Sequence, residues 1–159
     1  MTVVARLWYK RWLYYWLPAL LWMGVIFVMS SRPSLPSHPN DTVDLVAKKA
    51  GHVTEYGVLA FLLWRAIPSC KQSGVSEAAS GRRSKERRWP ALPSFGGTFV
   101  LSLLYAISDE FHQTFVPGRT GALTDVGFDV LGMFLALGLV WWFSRKNDGN
   151  QRRETESFL

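Results

Sequence analysis

Apolar residues in this chain are gathered into blocks, with polar and basic stretches between them. The first block covers residues 12–30, WLYYWLPALLWMGVIFVMS. At 1.5 Å per residue a helix of that length reaches roughly 29 Å, about the thickness of a bilayer's hydrocarbon core. Pro18 falls in its first turns, where a missing backbone N–H costs little. A signal peptide shares the basic start and apolar middle, but this block is longer, more aromatic and followed by no clean small-x-small cleavage site. Residues 31–45 form a loop rich in Pro, Ser and Asn. A second helix is expected over 46–67. Its first half carries Lys48, Lys49, His52, Glu55 and Tyr56, and its second half, GVLAFLLWRAI, is apolar. Residues 68–94, with GRRSKERR at 81–88, read as a solvated basic loop. The third helix is expected over 95–115, apolar until Ser108 and then Asp109-Glu110-Phe111-His112-Gln113. VPGRTG at 116–121 is a tight turn by composition. A fourth helix over 122–143 follows, then a polar tail over 144–159. The expected fold is all-α: a polytopic four-helix transmembrane bundle in one membrane domain, 12–143, between a short N-terminal segment, 1–11, and the tail.

The formal net charge is +6. In a soluble domain that excess suggests nucleic acid, but here the bases flank apolar segments. Arg6, Lys10 and Arg11 precede the first block, Lys71 to Arg88 fill the long loop, and Arg145, Lys146, Arg152 and Arg153 follow the last block. The two remaining connections hold only Arg32 and Arg119. This alternation predicts four spans with both termini cytoplasmic. Trp8, Tyr9, Trp12 and Trp16, and Trp141 with Trp142, sit where an inner interface would fall. The run 82–88 is accordingly read as an orientation signal, with no nucleic-acid partner expected and membrane lipids as the surroundings. Cys70 is the sole cysteine, which excludes an intrachain disulfide and implies no thiolate metal site.

That topology collects the ionisable residues at one side. On the fourth helix Asp125, Asp129, Gly132 and Ala136 share a face at 4-3-4 spacing, and small residues mark close helix contact. On the third, Thr98, Ser102, Tyr105, Asp109 and His112 form a polar stripe, with Glu110 off it, towards a neighbour or the head groups. On the second, Lys48, His52 and Glu55 line up beside Tyr56. The first helix holds no ionisable residue over 12–30 and reads as scaffold. Lys48, Lys49 and Arg119 stand against Glu55, Asp109, Glu110, Asp125 and Asp129, a balance of minus two before the histidines. A protonated carboxylate, a charged histidine, or a cation or ligand amine completes such a cluster. His52 with Glu55, and Asp109 with His112, have the i, i+3 spacing of bundle metal ligands, but HExxH is absent and bases stand near the carboxylates, so no metal and no cofactor are expected. Ser102 and Ser108 lack a nucleophile elbow. Arg119 is expected to fork onto a carboxylate of the bundle and to remain available to an anionic ligand.

The run 108–132, SDEFHQTFVPGRTGALTDVGFDVLG, closely resembles the signature of the VanZ-like family of bacterial membrane proteins. That pattern reads Asp-Glu-x-x-Gln-x-Phe-x-Pro-x-Arg, a short gap, then Asp-x-x-x-Asn/Asp-x-x-Gly, met here by Asp109, Glu110, Gln113, Phe115, Pro117, Arg119, Asp125, Asp129 and Gly132. The upstream family element is met by Lys49, His52, Tyr56 and Leu59. The resemblance covers most of 12–143, and the loop 68–94 looks longer and more basic than the family needs. It implies a multi-pass protein of the bacterial plasma membrane with a role at the cell envelope; the family's namesake is associated with low-level resistance to teicoplanin, a lipoglycopeptide. The candidate functional cluster is Lys49, His52, Glu55, Tyr56, Asp109, Glu110, Gln113, Arg119, Asp125 and Asp129. Its expected work is to bind or modulate an envelope lipid, a lipid-linked precursor or a lipoglycopeptide-type drug in an outward-facing charged pocket. The alternative is an intramembrane transferase or hydrolase acting on an envelope lipid, with Asp109 or Glu55 as general base and His52 as proton partner.

Overall fold

In the computed structural model, residues 3–33, 39–71, 92–119 and 121–156 are described. They form four helices, α1 Val3–Ser30, α2 Asp41–Lys71, α3 Leu92–Gln113 and α4 Leu123–Glu156, and no strand occurs among them. The all-α expectation holds, with shifted ends. Helix α2 begins at Asp41 rather than near 46 because Asn40 caps it: Oδ1 accepts from the backbone N–H groups of Thr42 at 3.0 Å and Val43 at 3.3 Å. Asp41 and Asp44 in the first turn suit the positive end of the helix. Helix α3 stops at Gln113, short of 115, because the N–H groups of Thr114, Phe115 and Val116 turn back to the carbonyls three residues earlier. Helix α1 starts well before residue 12, and α4 runs on through the polar stretch after 143, where Arg, Lys, Gln and Glu favour helix. The basic run 82–88 and residues 34–38 lie outside the described residues.

Helix α2 is the central element. It packs on α1, α3 and α4, most extensively on α4, whereas α1 and α4 do not meet among the described residues. The ends of α1 and α3 adjoin the first halves of α2 and α4, which defines a polar end of the bundle. At the other end Arg65 lies over the rings of Tyr14 and Tyr15, 4.8 and 5.5 Å from their centroids, and Trp64 meets Phe95.

The α2–α4 crossing is set by glycine. A Cβ on Gly132 would run into the backbone carbonyl of Val53, and one on Gly57 would come within 3.2 Å of the Gly132 carbonyl oxygen. The stripe Asp125, Asp129, Gly132, Ala136 thus does face α2, and Gly57 is its counterpart on the partner helix.

Buried positions hold Ile26, Leu59, Leu63 and Met133, but also Ser30, Thr98, Ser102, Asp109, Glu110, Gln113 and Asp129. Large apolar side chains such as Leu21, Val28, Leu104 and Trp142 are exposed on the outside of the bundle. A polar interior inside an apolar exterior is the arrangement that hydrocarbon as solvent demands. Helices α1 and α4 each contain a stretch, Leu13–Ser30 and Leu123–Lys146, long and apolar enough to cross a membrane.

Candidate functional site

The polar end of the bundle gathers its residues from all four helices. On α2, successive turns present Lys49, His52 and Tyr56 towards α4 and α3. Lys49 pairs with Asp125, and its ammonium lies 5.2 Å from the centroid of the Phe128 ring. One turn on, His52 Nδ1 is 2.9 Å from Asp129 Oδ1, while Nε2 stands 3.9 Å from Asp125 Oδ2. Asp129 is fully buried, so this contact replaces the water that a carboxylate ordinarily keeps. Lys48, which the spacing placed in the cluster, instead pairs with Asp44 at 2.6 Å on the more exposed flank of α2. Glu55 is partly buried, with His52, Asp109, Asp129 and Arg119 in its electrostatic neighbourhood, and its backbone carbonyl accepts from Trp22 Nε1 at 2.9 Å.

Helix α3 has two interior faces. Asp109 is buried, accepts from Gln113 Nε2 at 3.2 Å through Oδ2, and lies beside Tyr56. Glu110 turns to its neighbour helix and not to the head groups: it is 6% exposed, and Oε2 accepts from the backbone N–H of Ala122 at 2.8 Å. That N–H opens α4, where the helix dipole favours an anion. Gly121 makes the approach feasible, since a Cβ there would strike the Glu110 carbonyl. His112 leaves the cluster. Its Nε2 is 3.0 Å from Ser31 Oγ and its ring lies against Phe27, so the Asp109–His112 spacing does not form a pair around a common ligand.

Arg119 departs from expectation. Its Nη2 donates to the Met29 carbonyl at 3.0 Å and its Nε to the Arg32 carbonyl at 3.3 Å. The guanidinium donates to carbonyls at and just after the end of α1, where helix carbonyls run short of backbone donors, rather than forking onto an aspartate. Gly118, with φ of 79°, shapes the turn that delivers it. Helix α1 is therefore more than scaffold: its terminal carbonyls, Ser31 and Phe27 hold the turn and the end of α3, and Tyr105 donates to the Met23 carbonyl at 2.6 Å. Sequence reasoning missed these contacts because the α1 partners are mostly backbone atoms.

Of the ten candidate residues, Lys49, His52, Glu55, Tyr56, Asp109, Glu110, Gln113, Asp125 and Asp129 come together, and Arg119 is at the edge. Donor atoms of His52, Glu110 and Asp129, one from each of α2, α3 and α4, lie within 4.8 Å of one another. His52 pairs with Asp129, not with Asp109 or Glu55 as an acid–base partner.

No curated protein and no solved structure matches this chain. A family model does: the one described as VanZ/LLP1 matches residues 15–144, which covers α2 and α3, most of α1 and α4, and every member of the cluster. The chain belongs to the VanZ/LLP1 family.

Proposed function

We propose that this protein crosses the bacterial plasma membrane four times with both termini inside, and that its outward polar end binds the head of an envelope lipid whose chain lies between α2 and α4. The orientation rests on the alternation of Lys and Arg along the chain. The observation that carries the ligand is an apolar groove of about 580 Å³ between α2 and α4, lined by Val53, Gly57, Phe61, Trp64, Ala136 and Leu139. Its upper end is formed by Val53 and Gly132, next to His52 and one turn from Asp129. From Val53 to Trp64 the helix rises about 16 Å, half of the ~30 Å hydrocarbon core and the reach of one acyl chain in one leaflet. A chain in this groove brings its polar head to Lys49, His52, Asp125 and Asp129. A lipid-linked precursor presents the same chemistry, and so does a lipid-tailed drug of the teicoplanin type, which is how a resistance role would arise.

The reading is tested on protein purified in mild detergent, with retained lipids extracted and identified by mass spectrometry. Val140→Trp puts an indole in the groove and is expected to strip the retained lipid while the protein stays folded. The same lipid at the same stoichiometry in both proteins would overturn the reading. The orientation is checked separately in intact cells: a cysteine replacing Ser34 is expected to react with an impermeant thiol reagent and Cys70 is not. Ser34 itself lies outside the described residues.

One observation favours a second reading, an intramembrane enzyme on the same lipid. His52 is oriented by a buried carboxylate, as a general base must be. Conversion of the retained lipid by the parent, lost in His52→Gln, would promote it over simple binding.

A further inference from the structure

Of the three bases set against the carboxylates of the cluster, only Lys49 pairs with one of them. Lys48 goes to Asp44, Lys49 to Asp125, and Arg119 to two backbone carbonyls. His52 is left beside Glu55, Glu110 and Asp129. The expectation of no metal assumed that bases matched the acids, and this pairing removes that premise.

Three of these groups converge from separate helices. His52, Glu110 and Asp129 each offer one donor atom, all within 4.8 Å of one another. Glu110 and Asp129 are 6% and 0% exposed, and Glu110 Oε1 and Asp129 Oδ2 have no hydrogen-bond partner among the described residues. A buried carboxylate oxygen without a donor lacks the solvation it would have in water. Their other oxygens are already fixed: Glu110 Oε2 by the Ala122 N–H, and Asp129 Oδ1 by His52. Behind the imidazole stands a further carboxylate, Asp125, held by Lys49, so that His52 has an acid at its second nitrogen, Nε2, 3.9 Å away. A ligating histidine characteristically has a carboxylate at its other ring nitrogen, and ligating carboxylates are themselves hydrogen-bonded.

We propose that His52, Glu110 and Asp129 bind one divalent transition-metal cation of the zinc or manganese class. One imidazole nitrogen and two carboxylate oxygens suit these ions better than Mg²⁺ or Ca²⁺, which take oxygen-only shells. Binding shifts His52 Nδ1 from its hydrogen bond with Asp129 to the ion, and the proton they share is released to solvent. Three protein ligands leave room on the ion for water or another ligand. The inference stands on donor geometry and holds whether or not the α2–α4 groove takes a lipid.

The full chain, purified in detergent and stripped with chelator, is titrated with Zn²⁺ and with Mn²⁺, and retained metal is measured after desalting. One ion per chain is expected. Glu110→Gln and Asp129→Asn keep side-chain shape and are expected to weaken binding on the order of 10- to 100-fold, whereas Asp44→Asn, outside the cluster, leaves it unchanged. No retained ion, or equal uptake by Glu110→Gln and Asp129→Asn, overturns the proposal. Zinc-edge X-ray absorption of the parent protein needs no variant. A nitrogen among oxygen ligands supports the site, and an all-oxygen or sulfur-containing shell overturns it.

Discussion

His52 Nδ1 and Asp129 Oδ1 lie 2.9 Å apart and join residues 77 positions apart, tying α2 to α4 inside the bundle. In chelator-treated protein, Asp129→Asn keeps an acceptor for the ring N–H and is expected to cost less than about 1 kcal/mol. Asp129→Ala leaves the donor unmet in a buried site and is expected to cost about 1–3 kcal/mol. Equilibrium unfolding in detergent micelles gives both values, and equal costs would show that the hydrogen bond contributes nothing.

The glycines at the same interface are not equivalent. Gly132→Ala drives a methyl into the Val53 carbonyl, so the helices must separate, and a cost of about 1–3 kcal/mol is expected. Gly57→Ala meets the Gly132 carbonyl at 3.2 Å and should cost less. A Cβ at Gly138 meets nothing within 4 Å, so Gly138→Ala should be neutral or stabilising by up to about 1 kcal/mol, through helix propensity. Any other ranking of the three by thermal unfolding contradicts the crossing described here.

Arg119→Ala is expected to loosen the end of α1, because the Arg32 carbonyl loses its guanidinium donor and the Met29 carbonyl keeps only the backbone N–H of Arg32. Hydrogen exchange should rise over the last turn of α1 and the turn after α3. The aspartates should not notice: a double-mutant cycle between Arg119→Ala and Asp125→Asn should give a coupling near zero, within about 0.5 kcal/mol. A larger coupling restores the direct pairing with a carboxylate that the sequence suggested.

Adjacent lysines on α2 separate by environment. Lys48 is 41% exposed beside Asp44, and Lys48→Met should change stability by less than about 1 kcal/mol. Lys49 is 25% exposed and Asp125 17%, so Lys49→Met strands a half-buried carboxylate. About 1–3 kcal/mol is expected, below the 3–5 typical of a fully buried pair. Unfolding of the two variants side by side decides it; similar losses would mean that Lys49 is better solvated than its position implies.

What the residues revealed and what they hid follow one physical divide. Periodicity identified the face of α4 that meets α2, because Asp125, Asp129, Gly132 and Ala136 repeat with the helix. It left Glu110 open between a neighbour and the head groups, since a single stripe describes a helix with one neighbour and α3 packs against both α2 and α4. Lys48 and Lys49 are alike in type, and only the crossing at Gly132 decides which one reaches Asp125. Arg119 was assigned to an acid by charge, yet its partners are carbonyls that no side-chain pattern can display. The start of α2 was placed late because Asn40 was read as loop composition rather than as a cap.

The long gap between His52 and Asp129 also bears on how the protein is made. A ribosome adding about 5–20 residues per second needs roughly 4–15 s to pass from one to the other. Until that interval has passed, Lys49 and His52 exist without Asp125 and Asp129, their partners in the folded chain. Hydrocarbon gives Lys49, His52 and Glu55 nothing to bond. In the four-span topology proposed above, nascent α2 therefore has reason to wait at the bilayer surface, or in the shelter of an insertase, until α4 arrives.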